Sequence, residues 1–259
     1  MIKIFSILSL LILIFIQNIK SQELDIYTAE EPPMSFEKNG TVVGFSTEIV
    51  EEIMARMNST DTIQLVPWAR AYTSVLSKKN VATYSMGRTD LREALFHWVG
   101  PIVKKRWVFY SLKKRGIEVN RLVDAKALTV GVVRNDARST FLKSNGLSNI
   151  YEVNDHHIAL NMLKKGRIDL WASSDFEGPS IIKESGYELS DFDITYTIKT
   201  IESYIAISKN TPVEIVGKWK NAFSDLKNDG SLNRIADKWR SLSGLDITGE
   251  NGVIAIQNN

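Results

Sequence analysis

Residues 85–93, with the sequence SMGRTDLRE, place a turn of small residues directly ahead of a predicted short helix that carries Arg92. Backbone N–H groups and a hydroxyl at the start of a helix favour negative charge. An arginine one turn further adds a planar, fork-shaped group that matches a carboxylate. The stretch therefore predicts a binding site for an anion, in particular a carboxylate. A surface position for Arg92, paired with Asp90 or Glu93, is the alternative.

On either side of this turn, apolar segments typical of strands alternate with helical patterns. Ser46 is predicted to cap one helix and Asp155 another. Such alternation indicates an α/β fold built on mostly parallel sheets. The predicted strands are residues 24–27, 63–66, 81–84, 107–112, 128–133, 168–172 and 204–208.

The last third of the chain is predicted to be helical. Residues 211–214, TPVE, form a capping-box pattern with proline at the first helical position. The helix that follows carries an apolar stripe that indicates core packing, and a second helix begins at Ser231. Beyond Gly244 the sequence predicts a loose tail. The stripe consists of Val216, Trp219, Phe223 and Leu226.

The N-terminus has the pattern of a secretory signal peptide. Lys3 precedes an apolar run over residues 4–16, which is short for a membrane span, and cleavage is expected after Ser21. Removal of residues 1–21 takes two of the 32 basic residues away and leaves as many basic as the 30 acidic residues. This balance gives no argument for nucleic acid or an anionic membrane as a partner.

The chain contains no cysteine and three histidines. Metal thiolates, a cysteine nucleophile and lipid attachment through an N-terminal cysteine are therefore excluded. His156 and His157 are adjacent and cannot share one helical face, so we expect a solvated helix start after Asp155 and no metal site. No cofactor is expected.

A succession of short segments resembles the extracellular solute-binding proteins of family 3, the polar amino-acid type of periplasmic binding protein. No segment is specific alone, and the order and spacing carry the resemblance. The segments are PPMSF at 32–36, GFSTEIV at 44–50, PWARAY at 67–72, the turn with Thr89 and Arg92, FHWVGP at 96–101, VGV at 130–132, GRID at 166–169 and NDGSL at 228–232.

The resemblance implies a type II periplasmic binding protein fold. Two α/β lobes are joined by a hinge of two chain crossings, and the ligand lies in the cleft between them. Lobe 1 would contain residues 22–104 and 209–259, and lobe 2 residues 105–208. The crossings would fall near residues 103–106 and 208–210.

The resemblance also implies how the first lobe binds. Arg92 would form a bidentate pair with a ligand carboxylate, and Tyr84, Ser85 and Gly87 would hydrogen-bond the ligand around it. Trp68 either lies against the ligand or packs in the core. Arg70, one turn into the same helix, either reaches the cleft or lies on the surface.

In the second lobe, relatives often have glycine and threonines where this chain has Asn135, Asp136 and Ala137. Because an aspartate facing a ligand carboxylate would repel it, Asp136 is expected to cap the next helix. Arg134 or Arg138 would then supply the polar contact.

Two further positions depart from the family pattern. Glu31 falls where relatives commonly have an aromatic residue, and Ser174 falls where an acidic residue holds the ligand's α-ammonium. Asp175 lies one position along, and on a strand a one-residue step turns the side chain to the opposite face. Glu31 and Asp175 are both candidate partners of an ammonium group, and Asp175 is the one we expect.

The function expected from the resemblance is the capture of a small polar solute in the periplasm by a monomeric protein. Its partner would be an ABC-transporter permease or a membrane sensor. A dehydratase acting on cyclic carboxylates is one alternative, with Glu31 or Asp175 as the only apparent general acid or base. An interaction protein that binds no ligand on the same fold is the other.

Overall fold

The computed structural model describes residues 23–257. The predicted signal peptide, residues 1–21, lies outside these residues. Within the described range, none of the helices has the length and apolar character needed to cross a membrane.

Strands and helices alternate through most of the described chain, as the sequence pattern predicted. The strands are β1 (Asp25–Thr28), β2 (Phe36–Lys38), β3 (Thr41–Val43), β4 (Thr62–Leu65), β5 (Val81–Gly87), β6 (Phe96–Leu112), β7 (Val130–Val133), β8 (Ile150–Val153), β9 (Leu170–Ser174), β10 (Phe192–Ser208), β11 (Ile247–Thr248) and β12 (Ile254–Ile256). The α-helices are α1 (Phe45–Arg56), α2 (Trp68–Ser77), α3 (Ala137–Ser144), α4 (His156–Lys164), α5 (Glu177–Glu184), α6 (Val213–Asn228) and α7 (Ser231–Ser243).

The main sheet has the strand order β4-β1-β5-β10-β6-β9-β7-β8. Pairing is parallel at both ends, where β1 lies between β4 and β5, and β7 lies between β8 and β9. In the centre, β10 is antiparallel to both β5 and β6, and β6 is antiparallel to β9. The α/β prediction is therefore confirmed, with an antiparallel centre between two parallel halves.

The two central strands are far longer than predicted, at 17 residues each. β6 contains Gly100-Pro101, and proline cannot donate to a strand ladder. The structure accommodates this dipeptide at a register shift, where Ser203 pairs with Val103 but Ile205 already pairs with Val99.

The long strands carry the chain between the two halves of the sheet. Residues 103–106 of β6 lie opposite residues 200–203 of β10. The expected second crossing at residues 208–210 is wrong, because Ser203 already pairs with Gly87 and Ile207 with Ala82 in the first half.

The largest core packs α1, α6 and α7 against the first half of the sheet. The predicted stripe of α6 is buried in it, which confirms core packing, and α7 begins at Ser231 as predicted. The second half has its own buried clusters, around Trp171 on one face and Phe109 on the other.

The local predictions at helix starts have mixed outcomes. Asp136 and Asp155 cap α3 and α4 through their side chains, as predicted. Ser46 does not cap α1, because the helix already begins after Gly44 and leaves Ser46 inside it. The capping box before α6 does not form, since Thr211 hydrogen-bonds Ser208 instead.

The predicted loose tail is wrong. Beyond Gly244, β11 and β12 pair with each other, and β12 continues parallel to β6. Ile247 and Ile254 are fully buried in the largest core. Burial of these isolated apolar side chains orders a segment whose sequence has little periodicity.

We expect Ile254→Ala to lower the free energy of unfolding by about 2–4 kcal/mol, because it leaves a cavity in the core. Leu242→Ala is the control, since Leu242 is 64% exposed. Urea unfolding of both variants measures the difference. Equal, small effects would show that the C-terminal strands do not contribute to the core.

Candidate functional site

A cleft between the two halves of the sheet contains two adjoining cavities. The larger has a volume of about 280 Å³ and the smaller about 20 Å³, roughly the space of one water molecule. Both are lined by Glu31, Trp68 and Asp136, so they meet at these side chains. The smaller one is also lined by Ser85, Gly87, Arg92, Lys105, Trp107, Ala137 and Arg138. We call it the small pocket.

Arg92 lies in the wall of the small pocket and is only 6% exposed. Its Nη2 donates to the carbonyl oxygen of Asn135 at 3.0 Å, and its Nη1 to that of Gly87 at 3.4 Å. The guanidinium carbon lies 4.7 Å from the ring centre of Tyr72, a cation–π arrangement. Burial lowers the pKa of Arg92, because the desolvated charge is incompletely compensated.

The surface alternative for Arg92 is wrong. Glu93 pairs with Arg88 instead, and no carboxylate of residues 23–257 lies within ion-pairing distance of Arg92. The predicted helix is also shorter than expected, because Arg92 precedes a single turn of 3-10 helix, Glu93–Leu95. The segment remains a tight turn, with the N–H of Arg92 bonded to the carbonyl of Thr89.

Trp68 combines the two roles that the sequence left open. Its ring is buried in a cluster with Val75, Phe96 and Trp98. Its Nε1 donates to the carbonyl oxygen of Asn135 at 3.1 Å, so the ring edge faces the cleft. Asn135 has a positive φ of 60°, a conformation that asparagine tolerates well. Arg92 and Trp68 thus converge on one oxygen from the second half.

The three predicted positions on β5 divide between two faces. Ser85 and Gly87 line the small pocket, and the buried hydroxyl of Ser85 has no hydrogen-bond partner among the described residues. Tyr84 points the other way into the largest core, where its hydroxyl bonds Thr47 at 2.8 Å. Successive side chains on a strand point to opposite faces, so Tyr84 does not line the cleft.

In the second half, Asp136 both caps α3 and binds Arg138. Its Oδ1 accepts from the backbone N–H of Arg138 at 2.7 Å, and its two oxygens accept from the guanidinium at 2.9 and 2.7 Å. This pairing holds the pKa of Asp136 well below its usual range against the effect of burial. Ala137 lines the small pocket beside it, and Asn135 contributes its carbonyl.

A buried lysine on β6 links the two halves. Lys105 Nζ lies 3.0 Å from Glu177 Oε1 and 3.7 Å from Glu31 Oε2. Arg138 Nη2 lies 3.4 Å from the same oxygen of Glu177. Although burial opposes it, these two cations lower the pKa of Glu177 to about 2.

Glu31 has a different balance of forces. Burial raises the pKa of its carboxyl to about 7, since Lys105 offsets only part of the lost hydration. The carboxylate accepts no hydrogen bond from any residue of the described chain. Glu31 is therefore a buried acid whose ion pair with Lys105, at 3.7 Å, is long.

Asp175 and Arg70 are not at the site. Asp175 accepts hydrogen bonds from the backbone N–H of Arg106 at 3.0 Å and from its Nε at 2.9 Å. Both carboxylate oxygens are therefore bound to a residue of β6. Burial nevertheless raises the pKa of Asp175. Ser174 bonds the N–H groups of Phe176 and Glu177, and Arg70 is exposed on α2 away from both cavities.

Glu31, His156 and Glu177 are close enough to be considered for a metal ion. Trp171 Nε1 donates to His156 Nδ1 at 3.2 Å, which takes up the lone pair of that nitrogen, and His156 Nε2 lies 3.5 Å from Arg138 Nη2, a cation that would repel a metal ion. Glu177 is held by two cations. The trio therefore does not favour a metal.

The predicted solvated position of the two histidines holds only for His157. His156 is buried, and burial lowers its pKa to about 4.

Sequence reasoning missed Lys105 and Glu177. Lys105 is the middle residue of Lys104-Lys105-Arg106, and no local feature distinguishes it from its exposed neighbour Lys104. Glu177 follows the strand that ends at Ser174 and had no distinguishing pattern.

We expect Lys105→Met to destabilise the protein by about 3–5 kcal/mol at neutral pH, because Glu177 and Glu31 lose a buried cation. The neighbouring Lys104→Met is a matched control, since Lys104 is exposed. The lowered pKa of Glu177 contributes stability above the carboxyl's unfolded value of 4.5, and this is lost as the pH falls toward about 2. The difference in unfolding free energy between Lys105→Met and Lys104→Met, measured with urea, should therefore become smaller in acid. Equal unfolding free energies of the two variants at neutral pH would contradict the role of Lys105 as the cation that stabilises Glu177 and Glu31.

Comparison with known proteins gives a consistent set of relatives. A family model described as bacterial extracellular solute-binding proteins, family 3, matches residues 24–241. The L-cystine-binding protein TcyA of Bacillus subtilis (strain 168) is 23% identical over 202 residues, which cover 76% of this chain and 72% of that protein.

Solved structures share the fold at low sequence identity. A histidine kinase sensor domain with similarity to periplasmic binding proteins has a TM-score of 0.76 at 17% identity, covering 84% of this chain and 96% of that one. An ABC uptake transporter substrate-binding protein from Streptococcus pneumoniae with bound histidine has a TM-score of 0.73 at 20% identity, covering 85% and 93%. Holo ArgBP from T. maritima has a TM-score of 0.72 at 20% identity, covering 86% and 99%.

Proposed function

The chain belongs to the bacterial extracellular solute-binding proteins of family 3, and we propose that it captures a small polar solute bearing a carboxylate in its cleft. Its fold is the type II periplasmic binding protein fold. Family membership supports binding rather than turnover, because the family is one of solute-binding proteins and TcyA is a binding protein for L-cystine.

Convergence of two donors on one oxygen is the observation that carries this proposal. Arg92 and Trp68 both donate to the carbonyl of Asn135. A carboxylate oxygen accepts the same bonds, and its negative charge strengthens them. Since the buried Arg92 has no carboxylate partner among residues 23–257, an anionic ligand would supply the missing charge. The unpartnered hydroxyl of Ser85 is a further donor.

We assign the ligand-binding surface to both halves. Arg92, Trp68, Ser85, Gly87 and Glu31 form the part in lobe 1, which comprises residues 22–104 and 203–259. The part in lobe 2, residues 105–202, is the turn with Asn135, Asp136 and Ala137.

Closure of these lobes about the β6 and β10 crossings would bring the two surfaces together. The bonds from Arg92 and Trp68 to Asn135 are then contacts of a closed arrangement, in which a ligand would take the place of the carbonyl. A partner that binds the closed form but not the open form would respond to the presence of a ligand in the cleft.

The named relatives support an amino acid or related carboxylate as the solute, since they include proteins for cystine and histidine. They support two kinds of partner, an ABC-transporter permease and a membrane sensor. Family membership and the N-terminal signal pattern support a periplasmic location.

Arg92→Ala should weaken binding of a carboxylate solute by about 2–4 kcal/mol while the protein still folds, because a charged pair loses one partner. Arg92→Lys should recover little, since an ammonium cannot form the fork. Calorimetry with L-arginine, L-histidine and L-cystine, followed by the other amino acids, measures the affinity.

Arg88→Ala is the control for Arg92, because Arg88 pairs with Glu93 at the surface. Unchanged affinity in both Arg92 variants would refute the proposed site. No binding of any carboxylate by the parent protein would refute the proposed function.

Trp68→Phe separates the indole N–H from the packing of the ring. We expect it to lower affinity by about 1 kcal/mol, the net value of one hydrogen bond, with a smaller change in unfolding free energy than Trp68→Ala, which should cost about 3–5 kcal/mol. Calorimetry and urea unfolding measure the two effects. If Trp68→Phe binds as tightly as the parent protein, the indole N–H does not bind the ligand and Trp68 only packs in the core.

A further inference from the structure

The larger cavity is lined by carboxylates from both lobes. Glu30 and Glu31 lie in the loop between β1 and β2 of lobe 1, and Asp136 and Asp155 cap α3 and α4 of lobe 2. None of the described residues that line this cavity is a lysine or an arginine. Of the four acids, Asp136 has the closest cation, Arg138, at 2.7 Å. Closure therefore brings like charges of the two lobes together, which opposes closure while the carboxylates are ionised.

Glu31 reaches across the interface between the lobes. Its Oε2 forms a long ion pair of 3.7 Å with Lys105 Nζ of lobe 2, and that ammonium also hydrogen-bonds Glu177 at 3.0 Å. Burial raises the pKa of Glu31 to about 7, because the loss of hydration outweighs the attraction of Lys105. The nearby carboxylates of Glu177 and Asp136 act in the same direction as burial. An open cleft would return Glu31 to water, where a glutamate has its ordinary pKa of 4.5.

A histidine lies beside the same cavity, next in sequence to the lining residue His156. His157 Nε2 is 3.7 Å from Glu184 Oε2, a contact between α4 and α5 of lobe 2. Glu184 raises the pKa of His157, and Asp155 and Glu30 add to this effect against partial burial. Burial also raises the pKa of Glu30, and Glu184 adds to that shift. Since only Glu30 belongs to lobe 1, its effect on His157 and Glu184 arises when the lobes close.

We propose that closure of the two lobes takes up protons at this interface, so that the solute-free protein closes as the pH falls. The inference rests on the lobe closure that is part of the proposed function, and it concerns what controls that closure. Glu31, Glu30 and His157 each hold a proton more tightly in the closed form. Low pH therefore shifts the equilibrium toward the closed form, and the contribution of Glu31 is lost as the pH rises through about 7.

The other charged groups around Glu31 keep their charge between pH 5.5 and pH 8. Ion pairs raise the pKa of Lys105 and of Arg138 against the effect of burial, so both stay cationic. The pKa of His156 is about 4 and that of Glu177 about 2, and the pKa of Asp136 is held well below its usual range. The groups facing Glu31 are Lys105, Asp136, Arg138, His156 and Glu177, and those facing Glu30 and His157 are Glu37, Asp155 and Glu184.

The distance between the lobes of the solute-free protein tests the inference. The chain has no cysteine, so Thr41→Cys and Ser190→Cys place one spin label on an exposed residue of each lobe. Unfolding in urea, dialysis and refolding remove any bound solute. Pulsed electron paramagnetic resonance then measures the ratio of closed to open molecules. From the two pKa values of Glu31, we expect this ratio to rise about 25-fold from pH 8 to pH 5.5.

Two variants separate the contributions to this pH response. Glu31→Gln carries no charge at any pH, so its ratio at pH 8 should approach that of the parent at pH 5.5, and its remaining pH response should be at most about fivefold. His157→Gln should lower the ratio about two- to fivefold at pH 5.5 and leave it unchanged at pH 8, since a partly exposed ion pair is lost only when the histidine would be charged. His97→Gln is the control, because His97 lies in lobe 1 and contacts the carbonyl of Lys209 at 3.1 Å.

A ratio that is equal at the two pH values, or higher at pH 8, would overturn the inference. A response of Glu31→Gln as large as that of the parent would overturn it too, because the main proton would then be taken up elsewhere. The parent protein alone tests the inference if Glu31→Gln does not fold. These samples contain no solute, so either result leaves the proposed function intact, and calorimetry with carboxylate solutes decides that function separately.

Discussion

The antiparallel pairing of β6 with β10 is the constraint on which the rest of the structure depends. It runs from the pair Leu112–Phe192 to the pair Phe96–Ser208, so one antiparallel pairing, interrupted by three register shifts, passes through both halves of the molecule. β5 attaches on one side and β9 on the other. Because the ladder joins the halves, it also determines where their facing surfaces meet.

The ladder brings charge into that meeting point. Lys105 and Arg106 are consecutive residues of β6, so their side chains leave opposite faces of the sheet. Lys105 forms an ion pair with Glu177, and Arg106 forms one with Asp175. Desolvated charges require close partners, and these two pairs occupy the carboxylates of Glu177 and Asp175. Arg92 has no carboxylate partner in the described part of the chain, which is why we place the ligand's carboxylate in the small pocket.

Much of the fold was predictable because it depends on local patterns. Alternating apolar runs identified the strand cores, the stripe of α6 was recognisable from its helical spacing, and the caps at Asp136 and Asp155 follow from side chains that bond their own backbone. The turn before Arg92 also pointed to an anion site. Glu31 was one candidate for an ammonium partner, but Asp175 was favoured over it.

The remainder depends on contacts between distant residues. Whether Asp175 is available follows from its bond to Arg106, and the role of Lys105 follows from Glu177, 72 positions away in the chain. Local pattern contains neither fact. The same reason explains the C-terminal strands, whose order comes from burial of Ile247 and Ile254 against elements formed much earlier in the sequence.

The most direct measurement is a crystal structure of the protein with a bound amino acid. Our account predicts two hydrogen bonds from the guanidinium of Arg92 to the solute carboxylate, with the carbonyl of Asn135 displaced from Arg92. A structure in which Arg92 still bonds Asn135 and the solute's carboxylate lies elsewhere would contradict it.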